Sequence, residues 1–254
     1  MGRVDDVVVI KLGGSVITNK DVPSSLRAEV VDSLSNILGM SSPKKVVIHG
    51  GGSFGHYYAK KAGLSTRCRP IEDVDGVFLT RNAMFELNRH IIGSLYRHGL
   101  RPYVISPLFE GRNDNLAAFF STLLSSGFTP VLFGDVIPCK GGFRVISGDD
   151  LSYLVCSILK PSRMIFCIDV DGVYPSSKMD GAIIPEFDCE MLGNFVGSNK
   201  KFDVTGGIRR KLEIACKISS LGTDVFFVNG FKPDIVLKAL NGLHDVGTCI
   251  RGKR

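Results

Sequence analysis

Along the chain, short runs of consecutive apolar positions alternate with longer segments whose apolar residues recur every three or four positions. The runs cover 7–10, 46–48, 102–106, 130–133, 163–168, 224–228 and 247–250. Strands buried on both faces read this way, because neither face needs polar residues for solvent. Helical periodicity marks 24–38, 54–62, 80–98, 114–126, 149–159, 206–221 and 232–241. In the third of these, Met84, Leu87, Ile91 and Leu95 form one apolar stripe. Strand–helix alternation predicts the α/β class, with a mainly parallel sheet and helices on both faces.

Two stretches break the rhythm. In 135–147 two apolar segments flank Gly141-Gly142, which predicts a β-hairpin. The stretch 174–199 mixes Pro, Ser and Gly between the later strands and predicts irregular structure. Its 254 residues suffice for one sizeable core or two lobes. Any lobe boundary is expected near 160, where Lys160-Pro161 ends a helix, dividing 1–160 from 161–254.

Composition narrows the class. Apolar residues at 44% and charged residues at 22% are those of a folded soluble enzyme and exclude a disordered chain. The net charge of +6 raises the question of nucleic acid, but Lys and Arg are scattered. They are dense only at Arg209-Arg210-Lys211 and in the tail Arg251-Gly252-Lys253-Arg254, with no aromatic-basic stripe. No nucleic-acid partner is therefore expected, and the charge suits anionic small substrates. Seven cysteines, odd in number and without CxxC or metal-ligand spacing, predict a reducing, cytoplasmic compartment and no bound metal ion on the protein. The start runs straight into a strand, so no signal sequence is expected, and Asp6 stands where myristoylation requires Ser or Thr. No apolar stretch reaches the ~18 residues that span a bilayer, so no membrane partner is expected.

Candidate chemistry lies at strand ends. Lys11-Leu12-Gly13-Gly14-Ser15 follows the first strand: two glycines let backbone N–H groups approach a phosphate, and Lys11 adds a charge at the strand tip. Lys20 follows nine residues later. His49-Gly50-Gly51-Gly52-Ser53-Phe54-Gly55-His56 follows the second strand, and three glycines before a helix make a backbone anion nest. The segment also fits G-x-G-x-x-G, but the acidic residues ~20 positions on, Glu72 and Asp73, lie where no strand is signalled, which counts against a dinucleotide site. His49, at the end of an apolar strand, reads as structural. His56, one turn beyond the nest, is placed to donate to an anion. His90, His98 and His244 have no partners in the pattern.

Ser147-Gly148-Asp149-Asp150 opens a helix, either as a cap or as an organiser of the lysines. Asp169-Val170-Asp171-Gly172 ends the 163–168 strand, where a carboxylate is well placed for a nucleotide or its Mg²⁺. Asp203-Val204-Thr205-Gly206-Gly207 leads into Arg209-Arg210-Lys211 and again joins glycines, a helix start and cations. The pattern G-x-x-x-x-G-K-[ST] does not occur. Two nests, several lysines and strand-end carboxylates are what phosphoryl transfer needs, since it depends on positioning and charge stabilisation. The rival classes are a NAD-dependent oxidoreductase and a nucleotide-binding module without catalysis.

KLGGS at 11–15, HGGGSFGH at 49–56, GDD at 148–150, DVDGVY at 169–174 and DVTGG at 203–207 resemble, in that order, the amino acid kinase superfamily. Within it, the Ser53–His56 element is similar to the isopentenyl phosphate kinase branch found in archaea, and a fosfomycin kinase branch shares it. The resemblance implies a three-layer αβα sandwich, an acceptor lobe before residue 160 and an ATP lobe after it, MgATP as cosubstrate and a homodimer. It implies catalytic roles for Lys11, Lys20, His56 and Asp149, the last orienting the lysines. Nucleotide contacts would come from Lys11, Leu12, Gly13, Gly14, Ser15, Gly52, Asp169, Gly207 and Lys211. Acceptor contacts would come from Gly51, Gly52, Ser53, His56 and Gly148, and an apolar slot for the tail from Val77, Thr80, Val136 and Val145. Because Arg209-Arg210 precedes Lys211 where relatives often have glycine, the choice between Arg210 and Lys211 stays open.

Overall fold

The computed structural model describes residues 7–107, 116–175, 181–193 and 207–253. Its centre is a seven-stranded sheet with β1 (Val7–Leu12) in the middle. On one side lie β2 (Lys44–His49), β4 (Thr129–Phe133) and β3 (Pro102–Val104); on the other lie β7 (Arg163–Ile168), β8 (Asp224–Asn229) and β9 (Thr248–Ile250). Neighbours run parallel except β8 and β9. The hairpin of β5 (Asp135–Cys139) and β6 (Gly142–Ile146) stands apart from this sheet, turning at Gly141 with φ +89°.

Every residue of β1 is buried. Val7 and Val9 enter one core, Val8, Ile10 and Leu12 the other, which is why the strand reads as continuously apolar. The first core is closed by α5 (Leu116–Ser125), α6 (Gly148–Leu159) and α7 (Gly207–Ser219). The second is closed by α1 (Gly14–Ile17), α2 (Ala28–Met40), α3 (Gly52–Lys61), α4 (Val74–Arg97) and α8 (Pro233–Leu240). This is the expected three-layer αβα sandwich. Burying one such Val, Leu or Ile side chain is worth ~1.5–3 kcal/mol, so the two cores fix the sheet and the positions of its strand ends.

The differences from expectation are local. The single turn α1 is too short to show a period. Helix α4 starts at Val74, ahead of the expected 80, because the Asp73 carboxylate accepts from Gly76 N at 2.7 Å and caps it. That cap also removes the dinucleotide reading, since an acidic residue at a helix start cannot serve as the strand-end ribose ligand. Two cysteine pairs also escaped the sequence reading. Cys68 pairs with Cys139 and Cys189 with Cys216 as disulfides. Separations of 71 and 27 residues conceal pairs that the fold brings to Cα distances of 6.1 and 5.7 Å. Cys156, Cys167 and Cys249 are unpaired and buried in the core.

Candidate active site

The sheet order reverses at β1, which has β2 on one side and β7 on the other, and the loops leaving these strands meet at this switch point, the place where open α/β sheets bind ligands. The two glycine loops touch there. A side chain on Gly14 would bring its Cβ within 2.4 Å of Gly52 N, and one on Gly50 within 3.0 Å of Gly14 N. Gly13 N donates to Cys167 O at 3.1 Å, and a Cβ there would lie 2.4 Å from that carbonyl. These glycines are thus required first for packing loop on loop and loop on β7. The consequence is that the N-termini of α1 and α3, with their partial positive charge, are side by side. Gly50 N donates to Leu12 O and Ser53 N to Thr18 Oγ1. Among the described residues, the donors of the second loop without a protein acceptor are therefore Gly51 N and Gly52 N.

Lys11 is 5% exposed, and its Nζ lies 2.5 Å from Asp149 Oδ1. Asp149 Oδ2 meets Lys211 Nζ at 3.3 Å, so one buried carboxylate bridges two ammonium groups from opposite ends of the chain. Burial works to raise the Asp149 carboxyl, but Lys11 and then Lys211 outweigh it and hold it well below the usual carboxylate range. Gly148 makes room for this arrangement, since a Cβ there would be 3.0 Å from Lys11 Cε. The neighbouring carboxylate does different work: Asp150 closes a capping box with Ser147 and takes Arg210 Nη2 at 2.8 Å. The geometry therefore separates Arg210, tied to the cap, from Lys211, tied to the Lys11 cluster. Gly207 opens α7 at φ +64°, a conformation glycine adopts without strain. Positions 203–206 of that motif lie outside the described residues.

On the β7 and β8 side, Lys20 Nζ reaches Asp169 Oδ2 at 3.0 Å, and the Ser15 side chain bonds the same carboxylate. Burial tends to raise Asp169, but the Lys20 contact prevails and lowers it. Asp171 accepts from Lys232 at 2.6 Å and from Asn229 Nδ2 at 2.8 Å, and Lys232 followed by Asn229 lowers its carboxyl. Asn229 and Lys232 were not signalled by any motif.

His98 and His244, read from the sequence as without partners, meet Asp32 at 3.1 Å and Arg251 at 2.8 Å, because the fold brings α2 and the chain's end beside them. His49 is fully buried, stacks on Phe133 at 5.2 Å and bonds Asn88 and Gly50 O, and burial pushes it down to about 4. It is neutral scaffolding. His56 sits on α3 one turn after Gly52, half-buried on the face that follows the nest. Two expected contact residues are engaged by the protein itself. Leu12 is a core side chain, and the Ser53 hydroxyl accepts from Ser25 N at 3.2 Å.

Val77, Val136 and Val145 meet in one apolar cluster with Ala59 and Leu64, and Thr80 lies one turn along α4 from Val77, buried, with its hydroxyl on Gly76 O. A cavity of about 390 Å³ borders this cluster, lined by Ala62, Leu64, Ile71 and Phe143 together with Lys61 and Arg69. Arg81 and Asp135, a bidentate pair of 3.0–3.2 Å at the base of the hairpin, also went unsignalled in the sequence. Among the described residues no group of three or more His, Cys, Asp or Glu gathers as a metal site, and no helix is long and apolar enough to cross a membrane.

The profile of the amino acid kinase family matches residues 6–229. The isopentenyl phosphate kinase of Thermoplasma acidophilum is 33% identical over 236 residues, covering 90% of this chain and 94% of that protein. The isopentenyl phosphate kinase of Arabidopsis thaliana is 33% identical over 256 residues, covering 87% and 76%. A crystal structure of the T. acidophilum enzyme as a product complex superimposes with a TM-score of 0.80 at 27% identity, over 96% of this chain and all of that one.

Proposed function

The chain belongs to the amino acid kinase family, and from that premise we propose that it transfers the γ-phosphoryl group of ATP to isopentenyl phosphate, giving isopentenyl diphosphate and ADP. The observation that carries this reading is the contact of the two glycine loops beside the Lys11–Asp149–Lys211 cluster. Two adjacent helix N-termini can hold two anions, and two ammonium groups fixed by one carboxylate can neutralise the group that moves between them.

ATP lies along Lys11 and the Gly13–Ser15 turn, with its phosphates toward Lys20 and Lys211 and the remainder over Asp169 and Gly207, in the lobe after residue 160. The acceptor phosphate takes the amides of Gly51 and Gly52 beside Gly148, with His56 as hydrogen-bond donor, in the lobe before 160. Its tail lies against Val77, Val136 and Val145. A phosphomonoester has a second pKa near ~6, so the attacking oxygen is already largely ionised at neutral pH and no general base is needed. The site carboxylates are each paired with a lysine or arginine. That donor set would leave Mg²⁺ to phosphate oxygens and water, and the ion would supply charge neutralisation during transfer.

The relatives' named acceptor favours isopentenyl phosphate over a phosphonate such as fosfomycin. The deciding experiment measures ADP release with MgATP against isopentenyl phosphate, fosfomycin and carboxylate acceptors. Turnover of isopentenyl phosphate alone supports the proposal, and turnover of fosfomycin alone overturns it. Replacing His56 with Ala is expected to raise acceptor KM or lower kcat with ATP KM little changed. The same reading carries a homodimer and a cytoplasmic location, where ATP is supplied and where the Cys68–Cys139 and Cys189–Cys216 pairs would be held reduced. The exposed Val74, Phe78 and Phe85 on α4 and Tyr103 on the short edge strand β3 support the dimer, which light scattering tests.

A further inference from the structure

Thr18 is fully buried at the end of α1, outside the motifs that point to phosphate chemistry. Its hydroxyl donates to Gly14 O at 2.7 Å and accepts from Ser53 N at 2.9 Å. One side chain therefore ties the first glycine loop to the second. The Gly52 backbone bends around it: Gly52 has φ +49°, and a Cβ there would meet Thr18 Oγ1 at 2.0 Å. Thr18 also starts the small hairpin that carries Lys20. It bridges Leu26, its carbonyl accepts from Arg27 Nε at 3.1 Å, and Asn19 N donates to Ser25 O.

We infer that Thr18 is a positioning residue for phosphoryl transfer, setting the distance and angle between the donor loop, the acceptor nest and Lys20. The inference rests on the proposed kinase reaction. By taking the Ser53 N–H, the hydroxyl fixes the Gly52–Ser53 peptide plane and leaves the Gly51 and Gly52 amides for the acceptor. By pulling on Gly14 O, it holds the donor turn against that nest. Each loop is built from its own strand and core, so loss of the hydroxyl leaves two binding sites that no longer face each other correctly. In-line transfer is sensitive to such displacements, and a misplacement of about 1 Å can cost ~10²-fold in rate.

The test compares Thr18→Val, which keeps the shape and loses both hydrogen bonds, with Thr18→Ser, which keeps the oxygen. Thr18→Val is expected to lower kcat with ATP and isopentenyl phosphate more than tenfold. Dissociation constants for each substrate alone are expected to stay within about threefold, and Thr18→Ser to restore most of the rate. Equal rates in wild type and Thr18→Val would overturn the inference, as would parallel loss of both binding constants. A wild type inactive on isopentenyl phosphate counts against the kinase reading instead. Amide hydrogen exchange then still decides on Thr18: faster exchange across 50–56 in Thr18→Val supports the tether, and unchanged exchange sinks it.

Discussion

Lys11 and Asp149, 138 positions apart in the chain, form a buried ion pair of 2.5 Å, and it is closed by the packing of α6 against the end of β1. Breaking such a pair from one side leaves an uncompensated buried charge, at a cost of about 3–5 kcal/mol. Asp149→Asn is expected to lose stability of that order in urea denaturation and to lose nearly all turnover. Lys11→Met, which removes a charge while Lys211 still satisfies the carboxylate, is expected to lose turnover with a smaller loss of stability.

Acid should unfold the protein in two stages. His49 is held at about 4 by burial, against 6.5 when unfolded. Below pH 6.5 the unfolded chain therefore takes up a proton that the folded chain refuses, and stability falls between pH 6.5 and 4 by up to about 3 kcal/mol. Asp149 acts lower. Its folded value is depressed, so its contribution is complete above the unfolded value near ~4 and is lost only as pH falls further. Thermal melts from pH 8 to 3.5 on wild type and His49→Gln check this; an unaltered slope in the variant above pH 4 rejects the assignment.

Lys211→Ala and Arg210→Ala should separate by role. Losing a preorganised cation at the transferring group typically reduces kcat ~10²–10³-fold, and that is expected for Lys211. Arg210 holds the partly exposed Asp150 of a capping box, so its loss is expected to change kcat less than tenfold. Steady-state kinetics with varied ATP decide between them.

Gly14→Ala is expected to abolish turnover, because the new Cβ would meet backbone atoms of Gly52 at 2.4–2.6 Å that have nowhere to go. Gly93→Ala provides the contrast. It lies inside α4 with only Arg97 Nη1 near, at 3.7 Å, and should stabilise the protein by ~0.5–1 kcal/mol with unchanged kinetics.

Much of this was legible in the residues. The doubly apolar strands gave the parallel sheet, because burial on both faces leaves no alternation, and Gly141-Gly142 located the hairpin. The glycine loops stood out, although Gly13 and Gly14 turn out to be needed for contacts with Cys167 and Gly52, partners 154 and 38 positions away that no local pattern encodes. Asp149 and Asp150 look equivalent in sequence, and only packing assigns one to the lysines and the other to the cap. Thr18 follows two core residues and gives no signal of its own, since its meaning depends on which amide lies opposite.

The bond between Cys68 and Cys139 has a practical corollary. It closes a 71-residue interval, and in the chain-entropy view such a cross-link is worth about 4 kcal/mol through the unfolded ensemble. The melting temperature of a purified sample should therefore depend on whether thiol reagents are present in the buffer. Preparations handled with and without them would behave as two materials sharing one sequence.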